Sequence, residues 1–167
     1  MAMQTVYIET SIIGYLRARH STLIPSAARQ IATRRWWDEE RHNYQLVVSP
    51  YVVNEASRGS PTLAGERLAA IDGIPRLAIN EDVANMADRL LASALLPPKA
   101  RLDALHICTA AYHGIDYLLT WNCVHIANAR ILPRIRNFLT DLGYELPVVC
   151  TPEEMIDDPT HGNLDYD

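Results

Sequence analysis

Four short polar patches carry the residues able to do chemistry, and each stands at an end of an apolar run. They are Glu9-Thr10-Ser11 after Thr5-Val6-Tyr7-Ile8, and Glu55 within Pro50-Tyr51-Val52-Val53-Asn54-Glu55. The third is Asp103 in Arg101-Leu102-Asp103-Ala104-Leu105-His106, and the fourth is Thr120-Trp121-Asn122 after Tyr117-Leu118-Leu119. In an open α/β sheet, strand ends and helix starts of this kind meet at the carboxyl edge. Carboxylates gathered there repel one another unless a cation lies between them. Hard oxygen ligands suit Mg²⁺ or Mn²⁺. Metal-assisted phosphoryl chemistry is therefore the first expectation.

Each residue also has a plainer reading. Glu9 fits an ordinary first-turn acid favoured by the helix dipole. Its neighbours Thr10 and Ser11 can cap that helix or touch a phosphate. Asp103 stands in a helix that is apolar on nearly every side, where an unpaired acid is costly. It must lie near the helix N-terminus, pair with Lys99 or Arg101, or bind a cation. Glu55 has Arg58 one turn away and fits a solvated face with a weak ion pair. Asn122 offers a carbonyl oxygen, an amide donor or a simple turn. His106, one turn past Asp103, and His125, just after Asn122, read as structural or positioning groups, with His125 also placed to meet a phosphate. Asp116 precedes its strand and belongs at the opposite edge. No glycine-rich phosphate loop, nucleophile elbow or HExxH motif is present in the sequence.

The elements that must position these groups follow from the apolar pattern. Strands are expected over 6–8, 46–49, 77–79, 117–120 and 147–150. Helices are expected over 12–19 with Ser11 as cap, over 26–43 with Ile31, Trp36 and Trp37 as core candidates, after Pro50, and from Pro61 to 71. Others are expected after Asn80, over 99–113, and over 125–141 with a break at Pro133. Thr151-Pro152-Glu153-Glu154 reads as a short capped turn. The alternation predicts an α/β fold with a parallel sheet in three layers, one domain over 1–150 and an acidic tail over 151–167.

Of the 167 residues, 49% are hydrophobic and 21% charged, enough for a core and too apolar for disorder. No run approaches the ~20 apolar residues of a membrane span, and no signal-peptide pattern opens the chain, so no membrane partner and a cytoplasmic location are expected. Cys108, Cys123 and Cys150 form neither a zinc pattern nor a disulfide framework. The net charge of −5 argues against a large nucleic-acid footprint. Yet Arg17, Arg19, His20, Arg29, Arg34, Arg35, Arg41 and His42 crowd the first quarter, and a local basic rim beside a carboxylate site is compatible with them.

Taken in order and spacing, the four patches resemble a PIN domain, the metal-dependent ribonuclease family that includes the VapC-like toxins of toxin–antitoxin pairs. The resemblance runs from about Thr5 to Val149. Two residues depart from the family pattern. Glu9 replaces the usual opening aspartate, and Asn122 stands where an aspartate is common, in a Thr-Trp-Asn-Cys-Val-His stretch resembling one PIN subgroup. The resemblance implies a PIN-like α/β/α sandwich and a Mg²⁺- or Mn²⁺-dependent endoribonuclease of the toxin type. Glu9, Glu55 and Asp103 would hold the metal, Asn122 would orient water or phosphate, and Thr10, Ser11 and His125 would meet the RNA. It also implies an antitoxin partner and a homodimer. Ile12, Ile13, Tyr15, Leu16, Trp36 and Trp37 would supply that interface, because the N-terminal helices carry more apolar surface than one core face needs. The rival readings are a degenerate PIN domain that binds RNA or protein without catalysis, and a metal-dependent DNA nuclease or phosphatase.

Overall fold

The computed structural model describes residues 2–157. Val6, Tyr7 and Ile8 are buried on both sides and form β1 (Thr5–Ile8), as a parallel strand covered on two faces should. The chain continues through α1 (Thr10–Arg17), α2 (Ile24–Arg35), β2 (Gln45–Val47), α3 (Pro50–Ala56), α4 (Pro61–Ala70), α5 (Glu81–Ala92), α6 (Arg101–Tyr112), β3 (Tyr117–Leu119), α7 (Leu132–Asp141) and β4 (Val148–Cys150). The four strands are all parallel in the order β2-β1-β3-β4. Tyr7 stands opposite Val47 on one side and Leu118 on the other. The chain is an α/β/α sandwich with a central parallel sheet.

Strand order reverses between β1 and β3. From β1 the chain crosses outward to β2, then returns past β1 to β3 and on to β4. Such a switch point opens a crevice at the carboxyl ends of the two central strands. Glu9 follows one of them and Thr120 the other. Their backbones are tied there, where Glu9 N–H donates to the Leu119 carbonyl at 3.1 Å. The helix starts are written locally. Ser49 Oγ accepts from Val52 N–H at 3.4 Å before Pro50, and Asn80 Oδ1 accepts from Val83 N–H at 3.0 Å.

Several elements differ from the sequence expectation. The run 77–79 makes no strand. Arg76 forms a single bridge with Val48, and the Ala78 carbonyl is taken by His113 Nε2 at 2.7 Å instead of a ladder partner. The helix expected over 125–141 begins only at Leu132, with Pro133 in its first turn. Asn122 and Asn128 divert the backbone before it: Asn122 Oδ1 accepts from His125 N–H and Asn128 Oδ1 from Arg130 N–H, each at 3.0 Å. The helix over 26–43 starts earlier, at Ile24. It passes into a π-helical stretch, Trp36–Glu40, and a 3₁₀ turn, Arg41–Asn43. Ser11 does not cap α1; Glu9 occupies the cap position. The expected turn at 151–154 is present as a capping box between Thr151 and Glu154. The tail beyond Asp157 lies outside the described residues.

Burial corrects the basis of the expected dimer surface. Ile12, Ile13, Trp36 and Trp37 are all core residues; Trp36 is 0% exposed. Both indoles of the π-helical stretch are buried, and Trp36 stacks on Tyr44 with ring centroids 6.2 Å apart. Ile31, expected in the core, is 67% exposed on α2, beside exposed Ile24.

Asp116 lies at the edge opposite the crevice, as its place before β3 requires. Its Oδ2 accepts from Thr5 N–H at 2.7 Å and from Thr5 Oγ1 at 2.8 Å. The backbone hydrogen bond, then the hydroxyl, hold its carboxyl below the ordinary aspartate value. A lowered folded-state pKa gives stability that is present above the unfolded value and lost as pH falls through the folded one. Asp116→Asn should therefore lower the thermal midpoint at about pH 7, and the gap to wild type should close on acidification. Midpoints measured across that range would show a constant gap if the pairing had no such role.

Candidate metal centre

The crevice holds two adjoining groups of side chains. In the first, one ligand atom each from Glu9, Glu55 and His106 lies within 4.8 Å of the others. Glu9 is 5% exposed and is positioned by the end of β1. Its Oε2 accepts from Ser11 Oγ and from Thr120 Oγ1, the latter at 2.6 Å. Among the described residues no lysine or arginine bridges Glu9 or Glu55. Glu55 comes from α3, whose start after β2 is fixed by Ser49 and Pro50. Its Oε2 accepts from Thr10 Oγ1 at 2.6 Å and meets His106 Nε2 at 2.7 Å. Burial pushes the Glu55 carboxyl up, but the His106 hydrogen bond and charge, with Thr10 and Arg58, outweigh it and leave it below the usual glutamate value.

His106 is 1% exposed, inside the helix that is buried almost throughout. Its Nδ1 lies 2.7 Å from Tyr7 Oη, which lies 2.7 Å from Ser49 Oγ. Burial above all holds Tyr7 far above the ordinary phenol value, so it stays a neutral phenol. An ionised carboxylate only accepts, so His106 Nε2 carries the proton that faces Glu55. Ser49, Tyr7, His106 and Glu55 thus form a continuous hydrogen-bonded chain that holds the Glu55 carboxylate.

The second group is Asp103, Asn122 and His125. Asp103 sits in the first turn of α6. Its Oδ1 accepts from Asn122 Nδ2 at 2.9 Å, and its Oδ2 meets His125 Nδ1 at 2.8 Å. Of the three readings open to Asp103, the helix start applies and pairing with Lys99 or Arg101 does not; Arg101 pairs with Asp88 instead. Asp103 is not one of the three residues whose ligand atoms converge within 4.8 Å. Thr10 and Ser11 rest on the two glutamates, and Ser11 Oγ also accepts from Trp121 N–H at 2.8 Å.

No protein-family model matches the chain, and no curated protein matches it.

The sequence pattern points to Glu9, Glu55, Asp103, Asn122, Thr10, Ser11 and His125 as ligands or contacts and gives His106 only a structural or positioning role. The available signal was a histidine one turn after an acid in a helix with no polar face. Thr120 and Tyr7 were visible only as strand residues.

The donor set fits a divalent cation. Two carboxylates that no lysine or arginine bridges among the described residues face each other, with an imidazole beside them. Metal ligation takes carboxylate oxygens and, from a histidine, a ring nitrogen that carries no proton. Asn122 adds an amide next to Asp103. Asn122→Asp would put two carboxylates in contact at the 2.9 Å now held by a hydrogen bond. The variant should bind more Mn²⁺ per chain and show a larger Mn²⁺-induced rise in melting midpoint. Equal stoichiometry and equal rises in a calorimetric comparison would remove Asn122 from the site.

Proposed function

We propose that the protein is a divalent-metal-dependent nuclease that cleaves RNA. The single observation that carries this reading is the convergence of Glu9, Glu55 and His106 at the switch point between β1 and β3. Glu9 and Glu55 would hold the cation, and His106 would steer Glu55. When bound, a Mg²⁺ or Mn²⁺ ion supplies an activated water and stabilises charge on the phosphoryl oxygens. Asp103 holds His125 by Nδ1, which leaves the second ring nitrogen, Nε2, to meet a phosphate oxygen. Ser11, Thr10 and Thr120 orient the glutamates by donating to them. The resemblance to PIN domains supports RNA as the substrate and a toxin role opposed by an antitoxin protein. Antitoxin or dimer contacts would find apolar surface at Ile24 and Ile31 on α2, in place of the buried tryptophans.

One observation favours a second reading, a non-catalytic RNA- or protein-binding module. All three carboxylates already have hydrogen-bond partners from the chain itself. Cleavage of labelled single-stranded RNA with Mn²⁺, and its loss with EDTA, separates the two readings. Binding without cleavage under both conditions would overturn the nuclease. Among the described residues no helix is long and apolar enough to cross a membrane.

A further inference from the structure

We propose that the cleft between the end of α1, α2 and the first turn of α4 is a second subsite, one that takes the phosphodiester backbone of single-stranded RNA. It rests on the nuclease reading and extends it away from the metal centre. The cleft has a volume of about 410 Å³, and Arg17, Arg19, Arg34, Thr62, Leu63 and Glu66 are among its lining residues.

The fold sorts the basic first quarter of the chain into two sets. Arg29 lies over the rings of Tyr15 and Trp121 at 5.8 and 5.3 Å, and Arg41 over Trp37 at 4.9 Å. Arg35 pairs with Glu39 at 3.1 Å. Those three are engaged within the domain. Arg17 and Arg19 are exposed, and Arg34 is braced by donating Nη2–H to the Ala18 carbonyl at 3.2 Å. Among the described residues no carboxylate bridges any of these three. Three guanidiniums line one cleft whose single lining carboxylate, Glu66, bridges none of them among the described residues, so positive charge is in excess there although the chain's net charge is −5. A polyanion offsets that excess.

A second feature adds to the same cleft. The ten-residue α4, Pro61–Ala70, follows Ser60, whose side chain makes no cap hydrogen bond. Pro61 has no N–H and Ala64 N–H donates to the Ser60 carbonyl at 2.9 Å, which leaves the Thr62 and Leu63 N–H groups and the positive end of the dipole for an anion, and both residues line the cleft. Donors spread over two helices and a helix start suit a row of phosphates better than one isolated phosphate. The route is also set. Thr10 at the start of α1 touches Glu55, and Arg17 ends the same helix. Eight residues of helix span about 12 Å, so a strand lying along α1 leads from the glutamates to the cleft.

The test is fluorescence anisotropy with a labelled single-stranded RNA in EDTA, titrated over salt. Arg17→Glu/Arg19→Glu should weaken binding at least about tenfold. It should also flatten the log–log salt slope by about 1.4, from about 0.7 for each of two phosphate contacts. Arg17→Lys/Arg19→Lys should keep the slope, and it serves if the glutamate pair does not fold. Melting curves check folding in both. Unchanged affinity and slope in a folded glutamate variant would overturn the subsite while RNA cleavage by wild type left the nuclease intact. Steep, arginine-dependent binding without any cleavage would overturn the nuclease and keep the subsite. Competition by polyglutamate as strong as by unlabelled RNA would assign the cleft to an acidic protein chain and overturn the proposal, as would no RNA binding by wild type.

Discussion

Trp36→Glu is expected to unfold the domain. The indole is wholly buried, 6.4 Å from Trp37 and stacked on Tyr44. Deleting so large a buried ring costs about 3–5 kcal/mol through lost burial and the cavity left behind. An ionised glutamate in the same place adds the cost of a buried, unpaired charge, several kcal/mol more. Together these approach or exceed the whole stability of a typical domain, roughly 5–15 kcal/mol. Trp36→Phe separates packing from polarity. Among the described residues the Trp36 Nε1–H has no hydrogen-bond partner, so phenylalanine removes an unsatisfied donor along with part of the ring. Its destabilisation should stay well below that of the glutamate. Urea unfolding followed by circular dichroism measures both. A folded Trp36→Glu protein with weakened self-association would restore the tryptophan as an interface residue and contradict its burial.

Glu9→Gln is expected to separate stability from metal binding. Glu9 is a buried carboxylate held by two hydroxyls and, among the described residues, bridged by no lysine or arginine. Glutamine keeps the shape and an accepting oxygen while removing the charge. Without metal the variant should be at least as stable as wild type, because a poorly compensated buried charge has gone. With metal the order reverses. Mn²⁺ affinity should fall at least tenfold, about 1.4 kcal/mol, and metal-dependent RNA cleavage should fall with it. Calorimetric titration with Mn²⁺, melting with and without the ion, and a cleavage assay form one set. If the variant melts lower than wild type in EDTA and binds Mn²⁺ equally well, Glu9 is a structural acid and the metal centre fails.

The alternation of strands and helices was readable because each parallel strand here is a short apolar run and most helix starts carry a local mark. Ser49-Pro50 and Asn80 are such marks, and the structure uses both. Two elements differ from the apolar pattern, one for a distant reason and one for a local reason that hydrophobic composition does not carry. Leu77-Ala78-Ile79 has strand composition, but its carbonyl at Ala78 is claimed by His113, 35 residues away. The segment before Leu132 has helical composition, but two asparagine side chains bond their own backbone first.

The sequence alone determined that Glu9, Glu55, Asp103 and Asn122 stand at strand ends and helix starts, and that Asp116 stands at the other edge. Periodicity and strand position carry that information, since both are local. Only the tertiary structure decided how the carboxylates group and what holds them. Thr120 reaches Glu9 across 111 residues, and His106 reaches Glu55 across 51. Such bonds depend on which strands lie side by side, and the order β2-β1-β3-β4 is a property of the folded sheet. The same holds for Trp36 and Ile31. Both are apolar residues of one helical run, and at 3.6 residues per turn five residues set them about 140° apart; Trp36 faces the core and Ile31 faces solvent. Which face of the run meets the sheet is decided by tertiary packing, because Ile31 and the tryptophans are alike in being large and apolar.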